Sequence, residues 1–312
     1  MVISSLMKIL FSIIYIIFIL STIFSCQNSV EYDFERTKIS INKQKFEILT
    51  AWKIFDDYIV NKSNYEDNIF LKIKEEFDNN NSEYAFLLDA IKNEIKPDEE
   101  LKKEIELMKS INFVSIVDSV YQIVTKKLPG PDIKILFIPT NPANRKFYRD
   151  FGVGFHAFTL GAGKIIVSLD PTFENWRQYI QYALAHEYHH SVWTSRNFET
   201  PDLTPLEYII LEGKADLFAK GIIPESNNPF WDMLDNENEN RIWNIIKPKM
   251  NQRNTDINEK IFYGSKEIPY GSVYAIGYSI LKLFKANNPN IDDAEIIDMP
   301  PEEILYLSKY DE

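Results

Sequence analysis

The chain has 312 residues, and 45% of them are hydrophobic, so it can form one large domain or two packed subdomains. This composition argues against a disordered chain. The formal net charge of -12 at pH 7 argues against nucleic acid as a partner, because binding to phosphates requires a basic surface.

Residues 1–26 have the order of an export signal peptide: Lys8, an apolar run and a short segment that ends at Cys26. The last four of these residues, Ile-Phe-Ser-Cys, resemble a bacterial lipobox, in which the cysteine thiol receives a diacylglycerol. We therefore expect a lipoprotein attached to the outer face of a bacterial cell membrane. An uncleaved signal that spans the membrane is the alternative. With one cysteine, the chain can form neither an intrachain disulfide nor a thiolate zinc site.

Residues 27–128 are predicted to form a helical N-terminal region. Between about Glu31 and Lys127, Lys and Glu alternate with Ile, Leu and Phe at helical spacing, which indicates four or five amphipathic helices. Apolar pairs such as Trp52 and Phe55 are expected to be core contacts. The sequence leaves open whether this region borders a functional cleft or only adds to the core.

A second domain, residues 129–312, is predicted to begin where Leu128 is followed by Pro-Gly-Pro. The run from Ile133 to Ile138 is rich in β-branched residues and predicts a strand. The segments from Gly154 to Leu160 and from Lys164 to Leu169 are joined by a glycine-containing turn. They predict a β-hairpin just before the next helix.

The next helix is expected to begin at Asp170, with a proline in its first turn, and to run to about Thr194. It contains the pattern H-E-x-x-H. Positions i and i+4 share one face of a helix, so His186 and His190 could bind one zinc ion, with Glu187 beside it as general base. A solvated helix face that carries two histidines by chance is the alternative.

The third ligand is expected on the following helix. Thr204–Glu207 form a capping box with a proline just inside it, which predicts a helix that runs to Lys220. Glu212 and Asp216 then share a face. We expect Glu212 to bind zinc and Asp216 to accept the free N–H of a zinc-bound histidine. Gly213 is expected to let the two helices approach closely.

The pattern His186-Glu187-x-x-His190 followed by Glu212-x-x-x-Asp216 resembles the gluzincin arrangement of thermolysin-type metallopeptidases. The fuller pattern, H-E-Y-H-H, E-G-x-A and a later Y-x-x-G-Y, is similar to the YjaZ-like family of predicted bacterial zinc-dependent proteases. This resemblance covers most of the chain after Leu128. It implies an α+β, mostly helical fold: a zincin-like domain with a small sheet, an active-site helix and a helical C-terminal subdomain, preceded by the helical N-terminal region.

The resemblance also implies one Zn²⁺ ion and a peptide or protein substrate. Zinc would lower the pKa of a bound water toward about 7, and Glu187 would take its proton and pass it to the leaving amine. The strand from Phe155 to Leu160 is expected to pair with an extended peptide. The oligomeric state stays open.

A peptidase of this kind needs a hydrogen-bond donor for the oxyanion of the tetrahedral intermediate. The candidates are His156 on the predicted hairpin and Tyr270, Tyr274 and Tyr278, which are spaced at i, i+4 and i+8. A packing role for the tyrosines and an ordinary strand position for His156 are the alternatives. His189 projects about 100° away from His190 around the helix, so it is expected to be structural.

Two other functions compete with the peptidase. An exported zinc-binding surface module would keep the ligands without turnover, but it would not need Glu187. An amide hydrolase of the deformylase type also uses H-E-x-x-H, but it requires a cysteine ligand. The only cysteine, Cys26, lies in the predicted export signal, which excludes an amide hydrolase of the deformylase type.

Overall fold

The computed structural model describes residues 33–62, 64–78, 82–141, 145, 153–226, 228–253 and 255–312. Residues 1–26, the predicted export signal with Cys26, lie outside the described residues, so export and lipidation stay predictions. Residues 34–312 form one compact unit. Among the described residues, no helix combines the length and the apolar character needed to cross a membrane.

The strands are short and lie in two groups along the chain. They are β1 (Glu35–Ile41), β2 (Gln44–Thr50), β3 (Ile133–Pro139), β4 (Phe155–Gly161) and β5 (Lys164–Leu169). Most described residues are helical. The α-helices are α1 (Trp52–Asn61), α2 (Leu71–Asp78), α3 (Glu99–Lys109), α4 (Phe113–Lys127), α5 (Trp176–Asn197), α6 (Pro205–Ile222), α7 (Asn236–Ile246), α8 (Thr255–Tyr263), α9 (Ser272–Asn287), α10 (Asp293–Ile296) and α11 (Pro301–Ser308). Shorter helical turns span Glu66–Phe70, Ala85–Ile91 and Lys247–Lys249.

The five strands form one mixed sheet in the order β1-β2-β3-β5-β4. The two hairpins, β1 with β2 and β4 with β5, are antiparallel, and β3 lies between them, parallel to both β2 and β5. Nearly all of β3 is buried, as expected for a central strand that is covered on both faces. Strand β4 lies at the edge of the sheet, with β5 as its only strand partner in the described part of the chain.

Two hydrophobic clusters hold the fold together. The first packs the sheet against the N-terminal helices and α5; Tyr121 of α4, Phe137 of β3 and Tyr188 of α5 are fully buried in it. The second joins α6, α7 and α9 through residues such as Ile209 and Ile280. Helix α5 is fixed by the first cluster and α6 by both clusters; these are the two helices on which the functional residues were predicted.

The α+β, mostly helical fold class is confirmed, as are the predicted strand β3 and the hairpin of β4 and β5. One helical prediction is wrong: Glu35–Thr50, at the start of the N-terminal region, is a β-hairpin. Ile39, Ile41, Phe46 and Ile48 alternate with polar residues, which is the period of a strand. The high Lys and Glu content hides this pattern.

The turn of this first hairpin has an unusual backbone conformation. Asn42 and Lys43 have φ angles of 48° and 74°, the left-handed pair that a two-residue hairpin turn requires. The hairpin joins the sheet through β2, which pairs with β3. The sheet therefore includes strands from both sides of the predicted boundary between residues 128 and 129.

Helix α5, which contains the H-E-x-x-H pattern, begins later than predicted. It starts at Trp176 and not at Asp170, and it ends at Asn197. The Asp170 carboxylate caps a turn instead: it accepts hydrogen bonds from the backbone N–H of Thr172, at 3.0 Å, and from the Thr172 hydroxyl, at 2.5 Å. An Asp-Pro pair favours such turns as well as helix starts, so the sequence alone could not separate the two.

The start of α6 agrees with its capping signal. The Thr204 hydroxyl accepts a hydrogen bond from the Glu207 N–H, and the Glu207 carboxylate accepts one from the Thr204 N–H. The role expected for Gly213 was assigned to the wrong helix pair. A Cβ atom on Gly213 would lie 2.4 Å from the carbonyl oxygen of Gly277, so this glycine permits the close crossing of α6 and α9.

Candidate metal centre

Three side chains from α5 and α6 converge on one point. The Nε2 atoms of His186 and His190, one turn apart on α5, are 2.8 Å from each other. Oε2 of Glu212 lies 3.1 Å from the first nitrogen and 3.2 Å from the second. Ligands at about 2.0–2.1 Å in tetrahedral geometry stand about 3.3 Å apart. The two distances to Glu212 are close to this value and the two histidine nitrogens are nearer to each other, so the three atoms could hold one metal ion between them.

The other ring nitrogen of His186 is held by a buried carboxylate. Oδ1 of Asp216 lies 2.9 Å from Nδ1 of His186. This carboxylate also accepts hydrogen bonds from the Tyr182 hydroxyl and, at 2.8 Å, from Nε1 of Trp231. A carboxylate at Nδ1 favours the tautomer in which Nε2 presents a lone pair, which is the form that binds a metal.

The electrostatics of the site also suit a cation. Burial alone would raise the pKa of Glu212, but the nearby His190 and His186 lower it to about 2, so the residue is a carboxylate at neutral pH. Burial lowers the pKa of His186, but its hydrogen bonds with Asp216 and Glu212 outweigh this effect and hold the pKa well above the usual value, because the two carboxylates favour a positive charge on the ring. A metal ion at Nε2 would take the place of the proton there. The same two carboxylates would attract a bound Zn²⁺ ion.

Glu187 follows His186 in the chain, and a residue of the sheet binds its side chain. Its side chain is buried, and the Thr159 hydroxyl on β4 lies 2.8 Å from its Oε2 atom and 2.9 Å from its backbone carbonyl oxygen. The hydroxyl can donate its proton to either acceptor. Strand β4 and helix α5 are thereby joined at the carboxylate.

The centre lies in a cleft with two lobes. The large lobe has a volume of about 630 Å³ and the small lobe about 140 Å³. Residues from β4, α5 and the C-terminal half line both lobes: His156, Ala157, His186, Glu187, Tyr270 and Tyr274. His190 and Glu212 line the large lobe. The ligand cluster and Glu187 are thus reached from an open groove along the edge strand.

A family model described as a predicted Zn-dependent protease (DUF2268) matches residues 113–306. The chain belongs to this family. The predicted resemblance to a family of zinc-dependent proteases is therefore confirmed, and zinc is the metal that the family description names. Neither a curated protein nor a solved structure matches the chain.

The DUF2268 match begins at the start of α4 and contains the whole ligand cluster, Glu187 and Asp216. The sheet hairpin of β1 and β2 and helices α1 to α3 precede it. The matched residues therefore include the ligand cluster and Glu187, but Tyr84, Phe86 and Leu87, which line the large lobe, precede the match.

The tyrosines predicted as one stripe are separated by the start of α9. Gly271, with a φ angle of 76°, caps this helix, so Tyr270 lies before it. Tyr270 and Tyr274 line both lobes, and the Tyr274 ring centroid is 6.4 Å from that of His186. Tyr278 lies outside both lobe linings and stacks on Trp231, with ring centroids 4.2 Å apart. It has the packing role that was the alternative for these residues.

Both cleft tyrosines are protonated at neutral pH, and burial moves their pKa further above neutrality. It raises the pKa of Tyr274 well above the usual value, with a further contribution from the charge of Glu212, and it raises the pKa of Tyr270 to about 12. Burial lowers the pKa of His156, which lines both lobes, to about 4, so this imidazole is neutral. Each of these groups can donate a hydrogen bond into the cleft.

The remaining predicted residue, His189, is not brought to the cluster. It is buried, and its ring lies 5.6 Å from that of Phe218 on α6. The sequence reasoning missed three residues that support the site: Thr159, Tyr182 and Trp231. Tyr182 precedes His186 by one helical turn, a spacing that could have identified it. Trp231 lies in a loop and offered no such signal.

Proposed function

We propose that this DUF2268 protein is a zinc metallopeptidase that hydrolyses peptide bonds, with Glu187 as general base. One observation carries the proposal: the ligand atoms of His186, His190 and Glu212 converge in an open cleft that also contains the Glu187 side chain. A site for zinc storage or for structural zinc would be closed and would not need this carboxylate.

In this proposal, three residues bind the metal and a fourth transfers the proton. His186, His190 and Glu212 would hold the ion, which when bound supplies a Lewis acid and lowers the pKa of water toward about 7. Glu187 accepts a proton from the attacking water, and it gives this proton to the leaving amine nitrogen as the C–N bond breaks. The Thr159 hydroxyl at Oε2 leaves Oε1 free for this transfer.

Tyr274 is the donor that we propose for the oxyanion. Its phenol is protonated, it lines both lobes, and its ring is near that of the ligand His186. A donor that is already oriented toward the developing negative charge typically contributes about 10²–10³ in kcat. Tyr270 and His156 border the same space and are the alternative donors.

We propose that a peptide or protein substrate binds as an extra strand along β4. The N–H of Asp170 donates to the carbonyl of Gly154 at 2.9 Å, so this carbonyl faces inward, toward the β5 side of the sheet. Because backbone groups alternate along an antiparallel strand, those of Phe155 and Ala157 face the open edge. Ala157 lines both lobes, which supports pairing of an extended peptide across the metal centre.

The test measures zinc content and peptide hydrolysis on the same samples of wild type and Glu187→Gln. We expect Glu187→Gln to retain zinc and to lose at least about 100-fold in kcat, because it cannot accept the proton. Glu212→Gln should bind zinc more weakly, and an unchanged affinity would remove Glu212 as third ligand. If the wild type binds zinc but cleaves nothing in a broad peptide library, the surface module without turnover is the better description.

We also propose that the protein is exported and is attached to the outer face of a bacterial membrane through a lipid on Cys26. The order of residues 8–26 supports this location. Cells that express wild type or Cys26→Ser would be fed a palmitate analogue. Label in the wild type alone is expected. If the wild type is unlabelled but still sediments with membranes, an uncleaved signal anchors it instead.

A further inference from the structure

One wall of the large lobe comes from chain that precedes the DUF2268 match. Tyr84, Phe86 and Leu87, at the start of the helical turn Ala85–Ile91, line the lobe together with the ligand cluster. The match begins at residue 113. This segment lines the lobe but lies outside the residues that match the family. A residue in it can therefore determine which substrates this protein binds without belonging to the metal centre.

This segment is fixed to the sheet and to the active-site helix. The backbone N–H of Tyr84 donates to the carbonyl of Leu160 on β4 at 3.0 Å. Lys164 of β5 donates to the Ser82 hydroxyl at 2.8 Å. The Tyr84 ring also meets Phe198, which follows the last turn of α5, edge to face with centroids 5.3 Å apart. The wall is thus held both by the sheet and by the residue that follows α5.

The same hydrogen bond limits how far a substrate can pair with β4. A register shift between Thr159 and Gly161 interrupts the pairing with β5, and the Leu160 carbonyl binds Tyr84 instead. An added strand can therefore follow β4 only as far as Thr159. Beyond that point, the peptide meets the wall formed by Tyr84, Phe86 and Leu87.

Aromatic residues of α8 line the same lobe. Phe262 and Tyr263 contribute to its lining, and Phe262 packs edge to face on Tyr208 with centroids 5.3 Å apart. Phe86 is 55% exposed and Tyr263 is 72% exposed, which is high for large apolar rings beside a cleft. Because both rings line the same lobe, a ligand bound there could cover their exposed apolar surface.

The chemistry of the lining also restricts the charge of the ligand. Asp202 and Glu259 line the lobe in addition to the ligand cluster and Glu187, and its lining in the described residues includes no lysine or arginine. Acidic side chains would be repelled there. The volume of about 630 Å³ lies within the range of about 300–1,000 Å³ for sites that enclose ligands of drug size, so a large side chain fits.

We propose that Tyr84, Phe86 and Leu87 form, with Phe262 and Tyr263, an apolar clamp that selects peptides with a bulky apolar side chain beside the cleaved bond. Peptides with an acidic side chain at that position are excluded. This inference rests on the proposed peptidase function for its cleavage assay, but binding to the clamp can be measured without turnover.

The first experiment compares three peptides that differ only at the residue beside the cleaved bond: Phe, Ala or Asp. Wild type should prefer Phe and reject Asp. In Phe86→Ala, kcat/KM for the Phe peptide should fall about tenfold, while the Ala peptide changes less than about twofold. Tyr306→Ala is the matched control, since Tyr306 is a 77% exposed ring on α11, away from the lobe. It should change neither value.

The second experiment measures binding of the same labelled peptides to zinc-loaded Glu187→Gln by fluorescence anisotropy. Adding Phe86→Ala should weaken the Phe peptide about tenfold and spare the Ala peptide. If wild type cleaves no peptide but binding still depends on Phe86, the clamp proposal is supported and the proposed peptidase function is wrong. If peptides are cleaved but neither kcat/KM nor binding depends on Phe86, or if both peptides weaken equally, the clamp is wrong. If no peptide is cleaved or bound, both proposals fail.

Discussion

The hydroxyl oxygen of Thr159 lies 2.8 Å from Oε2 of Glu187 and connects the edge strand to the proposed general base. Thr159 is buried, which limits competition from water for this hydrogen bond. The strand that we propose as the binding edge for the substrate therefore also orients the carboxylate that would take the proton. A base that is fixed before the substrate arrives loses less entropy during the reaction.

Thr159→Val should lower kcat/KM without changing the zinc content. Valine keeps the shape and the β-branch of threonine but cannot donate a hydrogen bond. A hydrogen bond to a charged group is worth about 1.5–3 kcal/mol, which corresponds to a loss of about ten- to a hundredfold. Peptide hydrolysis and zinc content are measured on the same sample.

Thr125→Val is the matched control for this change. Thr125 is as buried as Thr159, but its hydroxyl donates to the backbone carbonyl of Tyr121 on α4, outside the cleft. Its kcat/KM should equal that of wild type at a temperature where both variants are folded. An equal loss in both variants would mean that general destabilisation, and not the orientation of Glu187, explains the effect.

Asp216→Asn should weaken zinc binding by about 10–100-fold. The neutral amide removes the negative charge at Nδ1 of His186, and such partners of ligand histidines typically affect metal affinity by this amount. The affinity is measured by competition with a chromophoric chelator. Asp311→Asn is the control, because Asp311 also accepts a hydrogen bond from a tryptophan N–H, at 2.8 Å, but at the C-terminus. Equal affinities in Asp216→Asn and wild type would contradict the role of Asp216.

The ligand cluster was predictable because its geometry is local to two helices. The spacing of His186 and His190 fixes their shared face, and the capping box at Thr204 fixes where the next helix begins. Glu212 is then two turns inside that helix. Only the packing of α5 on α6, which no local pattern specifies, was needed to complete the cluster.

The features that the sequence did not predict depend on contacts between distant segments. Thr159 meets Glu187 because β4 lies against α5, and the Tyr84 segment is held at the cleft by contacts with Leu160, Lys164 and Phe198. The hairpin of β1 and β2 was hidden for a different reason. Its alternating pattern is present, but Lys and Glu on the exposed face favoured a helical interpretation.

Gly213→Ala should destabilise the fold by about 1–3 kcal/mol. A Cβ at this position would lie 2.4 Å from the carbonyl oxygen and 2.6 Å from the carbonyl carbon of Gly277, so α6 and α9 would have to move apart. The free energy of unfolding is measured by urea denaturation with the metal removed, so that zinc binding does not contribute.

Gly221→Ala is the control on the same helix. Its added Cβ would meet only Nζ of Lys127, at 3.9 Å, an ordinary contact with the end of a flexible side chain. We expect this variant to be as stable as wild type or more stable by up to about 1 kcal/mol, because alanine reduces the entropy of the unfolded chain. If Gly213→Ala were equally stable, the close crossing of the two helices would be incorrect.

His156 should make the fold less stable as the pH falls from 6.5 toward 4. Burial lowers its pKa from 6.5 to about 4, so between these values the unfolded chain binds a proton that the folded protein does not bind. The stability that this residue contributes is complete above pH 6.5 and is lost as the pH falls through that window. His156→Gln cannot take up the proton in either state, so its unfolding free energy should decline less steeply with acid.

Urea denaturation of wild type and His156→Gln at several pH values, with the metal removed, measures this difference. Above pH 6.5 the two curves should run parallel, because the imidazole is then neutral in the folded and the unfolded chain. Titration of the imidazole by NMR gives a direct value. A midpoint near the ordinary pKa of 6.5 would show that the ring is solvated, and it would exclude His156 as a permanently neutral donor in the cleft.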